Sequence, residues 1–337
     1  MHYIQLRVEA IKHETADTST FYLREASGRR IDYQAGQFIT LVFNHHAEEI
    51  RRSYSLSSSP DEELLAITVK RIPNGEISRF LYAHIKVGDI LNAVAPAGRF
   101  VISDYEAKKD ILIFAAGSGI TPVFAQLKYI LNRPGESNIT LIYSSITGDN
   151  VIFKAELDEL AIAHPQRFRL LHLLSSDANR LNNIRVEQMV KRYTLNGMLN
   201  ADFYLCGPFA YMRMVRTTLI YMGIEPLRIR KENFVIDTVA VASPVLNYAP
   251  RKVTINIKGE HYDIIAGENQ SILQAALQNN IFLSYSCRAG VCSACAVRCT
   301  GGKVEMARND VLTEQDIAAG WILTCTGHPV TDVVIEG

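Results

Sequence analysis

The chain has 337 residues, which suggests two or three domains with separate cores. The chain has 35 basic residues (Lys and Arg) and 35 acidic residues (Asp and Glu), so its formal net charge is zero. No overall basic charge therefore indicates a nucleic-acid or anionic-membrane partner. The charged residues Arg7 and Glu9 interrupt the apolar stretch that a secretory signal would need near the N-terminus, so we expect no such signal. No apolar run approaches the ~18 residues of a membrane-spanning helix. We therefore expect a cytoplasmic protein without stable membrane insertion, whose six cysteines are not joined in disulfides, because a reducing compartment favours metal or catalytic roles.

The first hundred residues alternate apolar and polar side chains over short runs, at residues 3–8, 20–23, 37–42 and 65–69. A period of two is typical of strands with one buried face, and Gly, Asn, Asp and Pro separate the runs. The pattern predicts an antiparallel β-barrel over residues 1–104.

From about Lys109 the pattern changes to buried strands and amphipathic helices. The apolar run 111–116 is followed by Gly117 and Gly119, and then by apolar residues at helical spacing. Further strands are predicted near 139–144, 168–174, 202–206 and 228–234, and helices near 153–163, 184–193 and 209–222. Such alternation is typical of an α/β domain, so residues 105–236 are predicted to form a five-stranded parallel sheet.

The last hundred residues form a separate region. Residues 237–250 contain two prolines and few charges, which is typical of a linker. Residues 251–337 then hold two strand patterns and a helix at 271–279, for which Ser271 is a suitable N-cap. We expect a small α+β domain.

Four cysteines in this last domain have a recognisable spacing. Cys287, Cys292 and Cys295 are followed by Cys325, which gives C-x4-C-x2-C…C, the plant-type pattern for a [2Fe-2S] cluster. Small residues between the ligands let backbone N–H groups approach the sulfur atoms. The alternative is a structural zinc site, although zinc motifs usually contain a second close cysteine pair. Cys299 follows in a strand and is expected to be dispensable.

Residues 253–335 resemble the plant-type ferredoxin family, including the segment 324–329 around the last cysteine. The resemblance implies a β-grasp fold with the cluster near the surface.

Two loops carry a nucleotide-binding pattern. Gly117 and Gly119 lie between a strand and a helix, where glycines let backbone approach a pyrophosphate at a helix N-terminus. Residues 115–122, followed by Cys206, Gly207 and Pro208, resemble the NAD(P)H half of the ferredoxin-NADP reductase family.

The resemblance implies that Gly117, Gly119, Thr121 and Pro122 bind the nucleotide. Pro122 replaces the third glycine of the Rossmann fingerprint. It also implies that Gly207 and Pro208 belong to the site and that Cys206 lies near the nicotinamide. The alternative for this cysteine is a strand-end thiol packed in the core.

A flavin motif is recognisable in the barrel. Arg52, Tyr54 and Ser55 resemble the family motif in which arginine pairs with pyrophosphate, tyrosine lies against the flavin, and a hydroxyl bonds the flavin edge near N5. A planar guanidinium and an aromatic ring suit these roles. As an isolated tetrapeptide, the same segment would be an ordinary exposed strand end.

The next family segment matches Val69, Lys70, Gly75 and Ser78, of which the last opens a helix. In the family this segment holds the flavin pyrophosphate at a helix N-terminus. Residues 95–100 complete the barrel pattern.

The end of the nucleotide domain also matches the family. Phe234 stands where an aromatic ring covers the flavin until the nicotinamide displaces it, although it could equally be a core residue at a strand end. Glu232 is assigned to the same site. Ser55, Cys206 and Glu232 are the catalytic candidates, and they are expected to tune and position rather than to act as acid or base.

The domain order is similar to that of the reductases of phenylacetyl-CoA epoxidase and other multicomponent oxygenases, which favours FAD over FMN. The phthalate dioxygenase reductase type has the same order and carries FMN. The resemblance implies that hydride passes from NAD(P)H to FAD and that single electrons pass through the [2Fe-2S] cluster to an oxygenase-type acceptor protein. Two alternatives stay open: a reductase for a hybrid-cluster or desaturase partner, and a non-enzymatic redox-sensing module.

The sequence favours NADH over NADPH only slightly. Residues 143–147 offer hydroxyls for a 2′-phosphate, but Ile146 stands where relatives that bind NADPH often have arginine. An Asp or Glu, which would suit the ribose of NADH, is absent from this strand end.

Overall fold

The computed structural model describes residues 3–45, 48–177, 179–234, 248–257 and 259–337. The chain divides into two compact units, residues 2–234 and residues 235–337. Most of the linker predicted at 237–250 lies outside the described residues. Within the described part, every helix is too short or too polar to cross a membrane.

The N-terminal half of the first unit is an antiparallel sheet of six strands in the order β4-β3-β6-β1-β2-β5. Its elements are β1 (Ile4–Thr15), β2 (Thr18–Glu25), β3 (Phe38–His45), β4 (Glu48–Ser55), β5 (Leu65–Lys70), α1 (Glu76–His84) and β6 (Ile90–Ala97). A bridge between Leu56 and Ile67 joins the two edge strands, as the predicted barrel requires. Alternate residues such as Leu6 and Val8, or Ile39 and Leu41, form its core because side chains in a strand alternate between faces.

The second half of this unit is a five-stranded parallel sheet in the order β11-β10-β7-β8-β9. Its elements are β7 (Asp110–Ala116), α2 (Ile120–Leu131), β8 (Asn138–Ser145), α3 (Lys154–Ala163), β9 (Phe168–Leu174), α4 (Asn183–Tyr193), β10 (Asp202–Cys206), α5 (Phe209–Tyr221) and β11 (Ile229–Glu232). The predicted α/β domain is thus confirmed.

Strand β7 explains why this sheet is buried on both faces. Ile111 and Ile113 belong to one core with Val123 of α2, whereas Leu112 and Phe114 belong to a second core that includes residues of α4 and α5. Helices on both faces account for the uninterrupted apolar run of the sequence. Strand β8 lies on one side of β7 and β10 on the other, so the strand order reverses between β7 and β10. Ligands of such sheets bind in a crevice at the carboxyl ends of the strands where the order reverses.

The C-terminal unit is an α+β domain around a mixed sheet with the order β13-β12-β18-β14-β16, beside a second sheet of β15 and β17. Its elements are β12 (Arg251–Ile257), β13 (Glu260–Ala266), α6 (Ile272–Gln278), β14 (Ala296–Gly301), β15 (Val304–Met306), α7 (Glu314–Ala318), β16 (Trp321–Leu323), β17 (Gly327–Pro329) and β18 (Val333–Glu336). Ser271 caps α6 in a reciprocal capping box with Gln274, as its sequence position predicted.

Candidate functional site

The two nucleotide loops adjoin at the carboxyl ends of β7 and β10. Gly117 has a φ of +53°, and a Cβ there would meet no atom within 4 Å, so the loop is open on that side. Gly119 packs against the backbone of Cys206 and Gly207, and a Cβ would overlap the carbonyl of Cys206. The two loops, which the sequence connected only through the family resemblance, are therefore neighbours in the structure. A glycine is needed at their contact because there is no room for a side chain.

Side chains beneath the first loop hold its backbone. Thr121 Oγ1 donates to the carbonyl of Ser118 at 2.9 Å, and the Tyr143 hydroxyl donates to the carbonyl of Gly117 at 3.1 Å. The side chains of Thr121 and Pro122 are buried, so these two residues shape the loop from within.

Cys206 and Glu232 lie side by side at the ends of β10 and β11. Both are buried, with the Cys206 thiol in the core of the nucleotide half. Burial raises the pKa of Glu232 to about 8, so this carboxyl is mostly protonated at neutral pH. Burial, followed by the neighbouring Glu232, raises the pKa of Cys206 well above its ordinary value. Cys206 and Glu232 thus form an uncharged, desolvated pair at the edge of the crevice. The surroundings of Cys206 also agree with the alternative interpretation of this residue as a thiol packed in the core.

Tyr211 joins this edge and was not found from the sequence. Its hydroxyl donates to the carbonyl of Ala115 at 3.2 Å and accepts from Ser144 at 3.4 Å. Burial raises its pKa, to which the nearby Cys206 also contributes. Its position five residues after Cys206, in the first turn of α5, was the only available signal.

The flavin motif occupies the end of β4. Arg52 is exposed and donates to the carbonyl of Arg51 at 2.8 Å, while Tyr54, two residues on, shares its strand face and is half-buried. Burial raises the pKa of Tyr54, so its hydroxyl stays protonated. Ser55 is the last residue of the strand and is buried. The structure thus places an exposed guanidinium and an aromatic ring on one face.

The second flavin segment connects β5 to α1. Lys70 pairs with Asp17 at 3.4 Å, and Val69 is buried in the barrel core, so only the backbone of Val69 could meet a ligand. Gly75 is the N-cap of α1, and Ser78 Oγ donates to its carbonyl at 3.2 Å. A Cβ at Gly75 would overlap Ser78, which explains a glycine at the positive end of this helix.

Phe234 follows Glu232 by two residues and is the last described residue of the first unit. It is 42% exposed, so it does not fill a buried core position. An exposed ring is available to cover a ligand.

The four cysteines of the C-terminal unit form one connected group. Hydrogen bonds from the thiol of Cys292 and then that of Cys325 lower the pKa of Cys287, and a bond from Cys325 lowers that of Cys295. These contacts connect Cys292 to Cys287, Cys287 to Cys325, and Cys325 to Cys295, so the four thiols lie together, as a two-iron cluster shared by four thiolates requires. Three ligands around a single point, the pattern of a one-ion site, do not occur among the His, Cys, Asp and Glu of the described segments.

The loop that carries these cysteines turns its backbone toward sulfur. The N–H of Ala289 lies 3.4 Å from Cys287 Sγ, and the N–H of Cys287 lies 3.5 Å from Cys292 Sγ. Gly290 has a φ of +73°, and a Cβ there would press on the carbonyl of Arg308 at 2.5 Å. Backbone N–H donors stabilise thiolates, so this loop fits cysteines that serve as ligands.

Cys299 stands apart from this group. Its thiol donates to the carbonyl of Gly301 at 3.3 Å, at the end of its own strand. None of the six cysteines forms a disulfide bond in the structure.

Three protein-family models match the chain in succession. They are an oxidoreductase FAD-binding domain at residues 5–102, an oxidoreductase NAD-binding domain at residues 113–217, and a 2Fe-2S iron-sulfur cluster binding domain at residues 255–330. Each match falls on one of the three folds described above.

Similar proteins share this whole arrangement. A component of the 1,2-phenylacetyl-CoA epoxidase of Escherichia coli is 33% identical over 98% of this chain and 96% of its own length. The ferredoxin reductase component of 3-ketosteroid-9-alpha-monooxygenase from Mycobacterium tuberculosis is 32% identical over 99% of this chain and 95% of its own length. The structure of phthalate dioxygenase reductase covers 99% of this chain and 98% of its own, with a TM-score of 0.62 at 21% identity, which shows a common fold.

Proposed function

Because the chain belongs to the family of ferredoxin reductase components with FAD-, NAD- and [2Fe-2S]-binding domains, we propose that it delivers electrons from NADH to an oxygenase-type acceptor protein. It is an NAD(P)H-dependent flavin and iron–sulfur oxidoreductase. The observation that carries the proposal is the group of four cysteines with the [2Fe-2S] spacing and backbone N–H groups facing sulfur, which suits one-electron export, in a chain that also has the adjoining nucleotide loops.

Each of the three folds is assigned to one cofactor or nucleotide. We assign residues 1–104 to the flavin, 105–236 to the nucleotide, 237–250 to a linker and 251–337 to the cluster. When bound, the flavin accepts an electron pair as hydride and releases single electrons, which is what a [2Fe-2S] cluster can take.

Each flavin residue has a role that its surroundings permit. The exposed guanidinium of Arg52 would pair with the flavin pyrophosphate, assisted by the N–H groups at Gly75. Tyr54 would stack on the ring system, and Phe234 would cover its other face. Lys70 and Ser78 shape this site through Asp17 and the carbonyl of Gly75, and Ser55 would meet the flavin edge.

The nucleotide site uses the two glycine loops and the uncharged pair behind them. The open side of Gly117 would receive the pyrophosphate, while Gly207 and Pro208 lie at the crevice between β7 and β10. Cys206 and the protonated Glu232 would keep the nicotinamide end free of fixed charge. A neutral pocket suits the bound dihydronicotinamide ring, which is itself uncharged before it gives up hydride.

Hydroxyl partners support NADH as the donor. The hydroxyl of Tyr143 donates to Gly117, that of Ser144 to Tyr211, and that of Thr147 to Asn150 at 2.8 Å. Three of the four hydroxyls that the sequence offered to a 2′-phosphate are therefore used inside the protein, and the fourth, that of Ser145, is buried. Ile146 is 64% exposed and contributes no charge.

The names of two relatives support an oxygenase-type acceptor, since they are components of a monooxygenase and an epoxidase. A hybrid-cluster or desaturase partner is the second candidate. We also propose a cytoplasmic location, because a reducing compartment suits cysteines with the spacing of cluster ligands.

The donor is tested by steady-state reduction of cytochrome c with NADH and, separately, NADPH. We expect kcat/KM to be about tenfold or more higher for NADH, which corresponds to about 1.4 kcal/mol of discrimination. A preference for NADPH would overturn the choice of donor. The acceptor is tested with an oxygenase component encoded beside this chain: NADH consumption should rise on its addition, and no rise would refute that pairing.

A further inference from the structure

Tyr143 is a buried residue of β8 that the nucleotide motifs leave without a role. It is 0% exposed, in the core between β7 and β9. The hydroxyl donates to the carbonyl of Gly117 at 3.1 Å and accepts the N–H of Ile152 at 3.2 Å. One oxygen atom therefore links the glycine loop after β7 to the segment that leads into α3.

The link fixes the direction of a peptide group. A trans peptide points its C=O and its N–H in opposite directions. The carbonyl of Gly117 is turned inward to Tyr143, so the N–H of Ser118, in the same peptide, is turned away from the core. Thr121 holds the carbonyl of Ser118 in the same way at 2.9 Å.

The hydroxyl is suited to this donor role over the whole working range of pH. Burial raises the pKa of Tyr143 to about 12, so the hydroxyl keeps its proton. The open space beside Gly117, which has a φ of +53°, lies on the loop that the hydroxyl holds.

We infer that Tyr143 is a positioning residue for the pyrophosphate of the nicotinamide nucleotide, because its hydroxyl orients the Gly117–Ser118 peptide whose N–H would meet a phosphate oxygen. The inference rests on the proposed placement of the nucleotide at this loop. It makes no use of the nicotinamide ring, which the Cys206 and Glu232 edge would receive.

The test is Tyr143→Phe, which removes one oxygen and keeps the ring. The dissociation constants of NADH and of ADP-ribose, which share the pyrophosphate, should both rise about tenfold, as expected for loss of one buried hydrogen-bond donor. The limiting rate of flavin reduction, measured by stopped flow at saturating NADH, should stay within about twofold, because the ring position does not change.

Tyr204→Phe is the matched control. Tyr204 is 1% exposed in the same sheet, and its hydroxyl contacts the backbone of Ser103 instead of a nucleotide loop. This variant should bind both ligands with unchanged affinity.

Two results with Tyr143→Phe would overturn the inference. One is unchanged affinity for both ligands. The other is a joint loss of affinity, limiting rate and bound flavin, which would indicate general loosening of the fold. If this variant does not fold, Thr121→Val removes the companion bond to Ser118, and the same separation of affinity from rate decides the question. Failure of the wild-type protein to oxidise NADH would overturn the proposed function, whereas ADP-ribose binding would still decide the role of Tyr143.

Discussion

Glu232 is a carboxylic acid whose buried position makes it sensitive to pH. Its pKa is about 8 in the folded chain and 4.5 in the absence of the fold, so between these values the native state holds a proton that the unfolded state releases. Stability contributed by this group is therefore complete below about pH 4.5 and is lost as the pH rises toward 8. The shift corresponds to at most about 5 kcal/mol.

We expect Glu232→Gln to remove this pH dependence. Relative to wild type, the variant should gain urea resistance steadily between pH 5 and pH 8. Release of flavin fluorescence is a suitable probe, since the single tryptophan, Trp321, lies in the other unit. Parallel curves for the two proteins over this pH range would show that Glu232 is already charged in the fold.

Two cysteines that are seven positions apart are expected to differ in function, because Cys292 is a predicted cluster ligand and Cys299 is not. Cys292→Ser should abolish the rhombic EPR signal of a reduced [2Fe-2S] cluster, because its thiol is paired with Cys287. Cys299→Ser is the control and should keep the full signal, since its thiol bonds to the backbone carbonyls of Gly301 and Gly302. Loss of the signal in both variants, or in neither, would contradict the assignment.

At the scale of elements, the contact between the two nucleotide loops depends on the absence of a side chain. Gly119→Ala would drive a Cβ into the carbonyl of Cys206 and separate the loops. We expect at least a tenfold loss of affinity for NADH with flavin content unchanged, measured by equilibrium binding.

Gly148→Ala is the matched control in the same unit. Gly148 begins a short turn after β8, and a Cβ there would meet no atom within 4 Å. Its affinity for NADH should equal that of wild type. Equal binding by both variants would show that contact between the loops is not required for the nucleotide.

The sequence predicted elements well where a long periodic pattern was present. Strand β7 and helix α2, for example, follow directly from an apolar run and a helical spacing. It did not predict β15, β17 or α7, which are three to five residues long and too short to show a period.

Hydroxyl roles were beyond sequence reasoning for a different reason. Tyr143 and Ser144 lie in the segment whose hydroxyls could meet a 2′-phosphate, but each bonds to a group distant in sequence, Gly117 and Tyr211 respectively. A hydroxyl takes whichever partner the tertiary fold brings near, and neighbouring residues in the chain do not reveal that partner. The cysteine ligands were predictable because their spacing itself encodes the chemistry.

At the scale of the whole molecule, two compact units must exchange electrons within one chain. We predict that cleavage at a protease site inserted between residues 234 and 248 leaves NADH-dependent flavin reduction unchanged. Cluster reduction should then become dependent on protein concentration, because the chain no longer sets the effective concentration of one unit near the other. Stopped-flow traces at several dilutions would show this, and rates independent of dilution after cleavage would contradict it.

The electron path itself is tested most directly by anaerobic titration of the purified protein with NADH. Visible spectra and low-temperature EPR would be recorded on the same samples. We expect flavin absorbance to bleach and a rhombic [2Fe-2S] signal to appear as NADH is added. A colourless protein that retains zinc and responds to neither NADH nor NADPH, after reconstitution with flavin, iron and sulfide, would contradict it.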